Sequence, residues 1–279
     1  MNDQQKRARL RDLLSDSKGA IAPGVTDALF ARLAQDCGFK AIHLSGNAIH
    51  KNFCLPDRNL LTTTQVAQRI GQISEASDIP LIVDGGSICA ETIALTRAVR
   101  LYERAGAAAI RFEDAAVNEY GAAPEELAIA PTAVVLDQIK AAVDGRRDAA
   151  FVVIARCDSR PKESLDQVCQ RLAAYAAAGA DAVGVQLTDV ADFRHIGASV
   201  ATPIVTLWPK AQMSAAEFFA LGFRIALTPS SIPLAAVNAA REMLIEMNRQ
   251  GNDRDYFARQ KELAATEIWY KKLGSNRQY

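Results

Sequence analysis

What the sequence lacks narrows it first. Five cysteines (Cys37, Cys54, Cys89, Cys157 and Cys169) are scattered, odd in number, and form no C-x-x-C pair. A zinc site or disulfide framework is therefore not expected, and a reducing cytoplasm is the default compartment. Net charge is missing too: Lys plus Arg and Asp plus Glu each number 32, so no overall field recruits nucleic acid or an anionic membrane. No stretch reaches the roughly 18 uncharged apolar residues of a membrane span. The opening MNDQQKRARLRDLLSDSKGA is helical in pattern, without the apolar core of a signal peptide. No linker, low-complexity tract or short repeat interrupts the chain. These absences leave a neutral cytoplasmic protein that handles small molecules, with no nucleic-acid or membrane partner.

What is present is a regular alternation. Short apolar runs occur at AIAPG (20–24), KAIHLSG (40–46), LIVDGG (81–86), AAIRFED (108–114), FVVIARCD (151–158), AVGVQLTD (182–189), PIVTLWP (203–209) and RIALTPSS (224–231). Several are apolar almost throughout, as strands buried on both faces must be. Between them lie helical patterns such as SLDQVCQRLAAYAAAGA, and several of these end in Gly just before the next run. Alternating strands and helices imply parallel pairing, and eight units imply a closed (β/α)8 TIM barrel. An open doubly wound sheet would need a phosphate-cradling G-x-G-x-x-G after its first strand, where the chain reads PGVTDA. The 279 residues fit a single domain, with the barrel over about 18–250 and a helical tail over 252–279.

Barrel active sites are assembled at the C-terminal ends of the strands. Those positions hold Ser45 and Gly46, then Asp84, then Glu113 and Asp114, then Arg156 and Asp158. Gln186, Trp208 and Ser230-Ser231 follow, with Asp57 in the long loop after the second strand. Acids and an arginine converging on one mouth suit a metal-assisted carboxylate site. Oxygen ligands favour Mg²⁺, an arginine fork matches a carboxylate, and backbone N–H groups at Ser45, Gly46 and Asn47 are candidates for an anion nest.

PGVTDALFARLAQDCGFKAIHLSG, LPDRNLLT, LIVDGG, IRFED, VVIARCDS and GADAVGVQ, in that order, resemble the phosphoenolpyruvate mutase/isocitrate lyase superfamily. Its members show P-G-x-x-D-A-L, a Tyr-x-Ser-Gly turn, D-A-D-T-G-Y-G, I-E-D and A-R-T-D-A. The resemblance spans roughly residues 5 to 250. It implies a barrel that binds Mg²⁺ (or Mn²⁺) and makes or breaks a bond beside a carbonyl of an oxo or hydroxy acid, through an enolate. It further implies that Asp84 touches the metal directly, while Asp57 and Glu113 hold it through water. Arg156 would bind a substrate carboxylate, and Ser45 and Gly46 its other anionic end; from their places at the strand ends, Asn47, Gln186 and Ser230 are also expected to bind substrate.

The departures are as informative. The second acid of D-A-D is Gly86, and T-G-Y-G has become Ser87-Ile88-Cys89-Ala90. Less negative charge then surrounds Asp84, so metal affinity should fall, the substrate should supply more ligands, or the metal should be absent. The K-[KR]-C-G-H motif of the isocitrate and methylisocitrate lyases is missing, as is the K-T-N-like segment of the phosphonopyruvate enzymes. The family tyrosine before Ser-Gly is His43, which can serve as acid or base or simply pack. Catalytic roles are therefore expected of Arg156, His43 and Asp57. Cys89 and Cys157 have no evident base partner, and His50 and His195 lack a supporting pattern.

Family members without both motifs include oxaloacetate decarboxylase-like proteins. The leading expectation is a lyase that cleaves a C–C bond in a small 2-oxo or 2-hydroxy dicarboxylic acid. The alternatives are a biosynthetic member acting on a larger or phosphonate-type acid, and a non-catalytic ligand-binding barrel. The tail carries Tyr256, Phe257, Leu263, Ile268, Trp269 and Tyr270 on what reads as one amphipathic helix. Apolar surface of that kind marks an association face, and a homo-oligomer, dimer or tetramer, is expected.

Overall fold

The computed structural model describes residues 1–56, 60–85, 92–115, 128–260 and 263–273. Eight short strands appear in chain order: β1 (Ala20–Pro23), β2 (Ile42–Leu44), β3 (Leu81–Asp84), β4 (Ala109–Glu113), β5 (Val152–Cys157), β6 (Ala182–Val185), β7 (Ile204–Leu207) and β8 (Phe223–Thr228). They pair in parallel in the order β1-β8-β7-β6-β5-β4-β3-β2. Across the remaining gap a parallel bridge joins Gly24 to His43, and the Val25 N–H donates to the His43 carbonyl at 2.9 Å. A Cβ on Gly24 would lie 2.0 Å from the Pro229 carbonyl oxygen, so only glycine permits this closure. The result is the (β/α)8 barrel that the alternation implies.

Helix α1 (Asp3–Ser15) precedes the first strand. Helices α2 (Ala28–Asp36), α3 (Gly46–Asn52), α4 (Thr63–Ala76), α5 (Thr92–Arg104), α6 (Thr132–Gly145), α7 (Leu165–Ala177), α8 (Val190–Ser199) and α9 (Ala215–Ala220) link the strands. Their starts are specified locally. Asp27, which sits in the PGVTDA stretch, caps α2 by accepting from the Phe30 N–H at 3.0 Å, and Thr62 and Ser164 form capping boxes with Gln65 and Gln167.

Strand alternation divides the apolar residues between two cores. Ile42, Leu44, Val83, Ile110, Phe112, Val153, Ala155 and Val183 face outward against the helices. Ala20, Ala22, Ala41, Ile82, Ala109, Val152, Ile154, Ala182, Val205 and Ile225 face inward. That inner layer is small-chained and would leave the barrel floor open. Leu10, Leu13 and Leu14 of α1 join it and plug the N-terminal end. Arginines fasten the plug: the Arg7 Nη1 meets Asp148 at 3.0 Å, and the Arg11 Nη2 meets Asp181 at 2.9 Å.

The chain forms two compact units, residues 1–232 and 233–279. In the second unit α10 (Ser231–Gln250) runs on from the boundary and exposes Leu234, Val237, Leu244 and Ile245. The tail does not form the one expected helix. Helix α11 (Arg254–Ala258) ends early, and α12 (Leu263–Lys272) follows. After Ala258 the Arg259 and Gln260 N–H groups bond three residues back, at 3.2 and 3.1 Å, which tightens the chain into a turn. Arg259 pairs with Glu246, and Tyr256, expected on the exposed face, is buried. Ile268 and Tyr270 are exposed, as expected.

Candidate active site

On β2 to β5, continuing the inward register upward from the apolar floor replaces hydrophobic side chains by polar ones. On β2 the inward residue above Ala41 is His43; on β3, above Ile82, Asp84; on β4, above Ala109, Arg111 and then Glu113; on β5, above Ile154, Arg156 and then Asp158. The barrel mouth is thus lined by alternating acids and arginines. At β6 the inward position is Gly184, where a Cβ would lie 3.2 Å from the Arg156 Cβ. Glycine there leaves room for the arginine stem.

Two connected groups make up this layer. In the first, Asp84 accepts from the Arg111 guanidinium, lies 3.1 Å from the His43 Nε2, and accepts from the Gly46 N–H at 3.1 Å. Burial pushes the Asp84 carboxyl up, but Arg111 and His43 outweigh it and hold the group well below the ordinary carboxylate range. His43 and Arg111 are almost wholly enclosed, and among the described residues the His43 Nδ1 and Arg111 Nε have no hydrogen-bond partner.

In the second group, the Arg156 guanidinium forks onto Asp158 through Nε and Nη2, and its Nη1 lies 3.6 Å from Glu113. Burial disfavours the Arg156 charge, but Asp158 and Glu113 overcome that and raise its pKa. Glu113 is raised as well, by burial, with Arg156 opposing. Asp114 points elsewhere: it accepts from the Asp158 N–H and the Tyr175 hydroxyl, both at 2.7 Å, and so ties β4 to β5 and α7.

Several expected residues take other roles. Gly46, expected to offer its N–H to a substrate anion, gives it to Asp84, because Gly46 is the first residue of α3 and its N–H has no partner within that helix. Ser45 is buried as the cap residue of that helix, and Asn47 is in its first turn. Gln186 and Ser230 are half-buried beyond the ends of β6 and β8. The Trp208 indole is tied to the Met213 carbonyl at 2.9 Å. Ser231 opens α10 and accepts from Lys210 at 2.7 Å. The Cys157 thiol faces outward, is raised by burial and sits 3.1 Å from the Ser159 hydroxyl, an inert setting. Asp57, Gly86 and Cys89 lie outside the described residues.

Sequence reasoning overlooked Arg111 and set His50 aside. Arg111 stands mid-strand, two residues before Glu113, so period-two alternation alone puts both on the inner face. His50, on α3, offers no comparable signal. Its Nε2 accepts from the Leu60 N–H at 3.1 Å, so its Nδ1 carries the proton and donates to the Gly46 carbonyl at 2.7 Å. A neutral histidine thereby anchors the far end of the loop that contains Asp57.

Magnesium would need an open carboxylate oxygen at Asp84, with further acids around it. Both Asp84 oxygens already accept hydrogen bonds, a guanidinium lies against one of them, and position 86 supplies no side-chain oxygen. Among the described residues no group of three or more His, Cys, Asp or Glu could hold a metal. As arranged, the residues do not fit the ion at Asp84.

The family described as phosphoenolpyruvate phosphomutase matches residues 10–248. A 2-methylisocitrate lyase of Shewanella oneidensis is 32% identical over 90% of this chain and 88% of its own. An oxaloacetate decarboxylase of Rhodopseudomonas palustris is 32% identical over 86% and 84%. A solved structure of phosphonopyruvate hydrolase with oxalate and Mg²⁺ superposes with a TM-score of 0.82, at 27% identity and 98% coverage of both chains. The two curated relatives are carbon–carbon lyases.

Proposed function

The chain belongs to the phosphoenolpyruvate phosphomutase family, and from that premise we propose that it is a carbon–carbon lyase acting on a small 2-oxo or 2-hydroxy dicarboxylic acid, in the manner of an oxaloacetate decarboxylase. The observation that carries this reading is the forked Arg156–Asp158 pair at the barrel mouth. It presents a guanidinium already oriented for carboxylates, and the fork on Asp158 leaves the Nη1 edge facing the site.

For a 2-oxo dicarboxylate, the oxo-acid end lies against Arg156. The bond to the distal carboxylate breaks, CO₂ leaves, and the electron pair passes into the enolate. Buried cationic donors stabilise that developing oxyanion best, because low-dielectric surroundings strengthen them and they need no reorganisation. Glu113, which burial biases toward its protonated form, would return a proton to the enolate carbon and recover one from water. His43 is a positioning residue for Asp84. Ser45, Asn47, Gln186 and Ser230 remain candidates for the rim of the substrate pocket, and Asp57 for an acid in its loop.

The test is turnover of oxaloacetate, followed by pyruvate formation in the full-length protein. Arg156→Lys keeps the charge but loses the planar fork, so kcat/KM falls about 10- to 100-fold, or about 1.4–2.7 kcal/mol. Full activity in that variant removes Arg156 from the substrate site. The ion pairs that already satisfy the acids favour one second reading, a barrel that binds carboxylates without turning them over. Saturable oxalate binding with no turnover of any oxo acid would select it.

We further infer a cytoplasmic homo-oligomer, dimer or tetramer. The support is the row of exposed apolar side chains on α10 and α12; no helix among the described residues is long and apolar enough to cross a membrane. Truncation after Gly251 should lower the sedimenting mass at micromolar concentration. An unchanged mass rejects the tail as the association surface.

A further inference from the structure

Where the resemblance implies a divalent ion on Asp84, the structure has Arg111. We propose that the Arg111 guanidinium is the resident cation of this site, taking the place of a metal ion and supplying the positive charge against which an oxo-acid anion is held. The proposal deepens the reading of the barrel mouth as a 2-oxo acid site and rests on it.

Three observations carry it. The first is saturation of Asp84. Its Oδ1 meets Arg111 and His43, and its Oδ2 meets the Gly46 N–H, so a metal would have to displace a guanidinium that is 1% exposed. Arg111 cannot withdraw easily either, since it sits within β4 with its backbone in ladders to β3 and β5 and its carbonyl held by the Gly85 N–H at 2.7 Å.

The second is local charge. Relative to a site with an acid at 86 and no cation at 111, Gly86 removes one negative charge and Arg111 adds one positive charge. The sum is two units, the charge a Mg²⁺ ion would bring. The glycine at 86 and the arginine at 111 therefore shift the charge around Asp84 in the same direction.

The third is an open donor. Among the described residues the Arg111 Nε, though enclosed, has no hydrogen-bond partner. Buried polar atoms are ordinarily satisfied. An N–H left open beside a carboxylate already in use is a place for a second anion, and an oxo-acid oxygen would complete it.

Metal uptake and anion binding test the proposal separately from turnover. Manganese EPR on the full-length chain should show no saturable binding at millimolar Mn²⁺. Oxalate, measured by calorimetry, should bind the EDTA-treated protein with an affinity that added Mg²⁺ does not change. Arg111→Gln should weaken oxalate about tenfold or more, the loss of one charge-assisted contact, whereas Arg111→Lys should retain most of it. Combining Arg111→Gln with Gly86→Asp should create a Mn²⁺ site and make oxalate binding depend on metal. If Arg111→Gln does not fold, the lysine variant still decides between charge and metal, because it should bind oxalate and no Mn²⁺. Saturable Mn²⁺ binding by the unaltered protein that is lost in Asp84→Asn overturns the proposal, as does oxalate binding that requires Mg²⁺. Absence of oxo-acid turnover, with metal-free oxalate binding intact, overturns the lyase reading and leaves the arginine assignment standing.

Discussion

The floor and the mouth of the barrel are built by the same inward-facing register, yet they are held by different physics. On the floor, alanines, valines and isoleucines close around three leucines of α1, and the stabilisation scales with apolar area removed from water. At the mouth, two arginines, a histidine and several acids occupy equivalent positions two or four residues further along β2 to β5. Each of those charges has been taken out of water and must be matched by a neighbour. The floor tolerates loss of a methyl group in proportion to the cavity left; the mouth does not tolerate loss of the acid that matches an enclosed arginine, as Asp84 matches Arg111. Binding sites belong where the second condition holds, since an arrangement of matched charges can exchange one partner for a ligand.

The largest effect that separates the two layers comes from Asp84→Ala. Removing the acid leaves Arg111 enclosed and uncompensated, with an expected loss of about 3–5 kcal/mol, read as a lowered denaturant midpoint. A loss close to zero would mean that water reaches Arg111 and the mouth is not a matched-charge layer.

On the floor, Leu10→Ala should cost roughly 3 kcal/mol through lost transfer energy and a cavity at the plug. Because Leu10 is distant in register from Arg156, kcat/KM below the unfolding transition should change little. An equal fall in both quantities would show that the layers are coupled.

A smaller, pH-dependent difference marks the mouth alone. Glu113 is raised above its ordinary value of 4.5 by burial, so its favourable contribution is present below about that pH and is lost as pH rises through the folded value. Glu113→Gln, which cannot ionise, should therefore be more stable than the parent at pH 8, with the gain shrinking toward pH 4. Asp84 has the opposite sign: its contribution is present above 3.8 and disappears only when pH falls through its much lower folded value. A Glu113→Gln gain that grows on acidification would contradict the assigned direction.

The smallest effect lies just beyond α3. Cys54 has a φ of 55°, where a Cβ is strained, and the Leu55 N–H returns to the His50 carbonyl at 2.9 Å, a helix ending that favours glycine. Cys54→Gly should stabilise by about 0.5–1 kcal/mol, visible as a small rise in Tm.

The barrel was legible in the chain because its period is local: each apolar run is a strand, and each Gly or capping residue marks where a helix stops or starts. The list of strand-end residues was legible for the same reason, and Asp84, Glu113, Arg156 and Asp158 all lie in the mouth. Partnership was harder to read. That Arg156 grips Asp158 is a contact two residues apart and was foreseeable, whereas the use of the Gly46 N–H by Asp84 depends on how β2 and β3 align. Arg111 was overlooked because attention to strand ends stops one inward position too late. The role of His50 rests on a loop folding back ten residues on, which no periodicity encodes. Likewise the break after Ala258 reflects an ion pair between Arg259 and Glu246, 13 residues apart, against a sequence that reads as continuous helix.

The helical plug also constrains the order of events as the chain emerges from the ribosome. Arg11 is fastened to Asp181, 170 residues later, and Leu10, Leu13 and Leu14 pack with Ile225 and Leu227 of the last strand. Helix α1 therefore acquires the last of its partners only when β8 has been made. Until then part of the apolar face of α1 lacks its partners, while the chain lengthens by more than 200 residues. Such distant pairings slow folding, because loop closure must precede the contacts that reward it. For that interval the N-terminal leucines are the natural client surface for a chaperone that holds emerging chains.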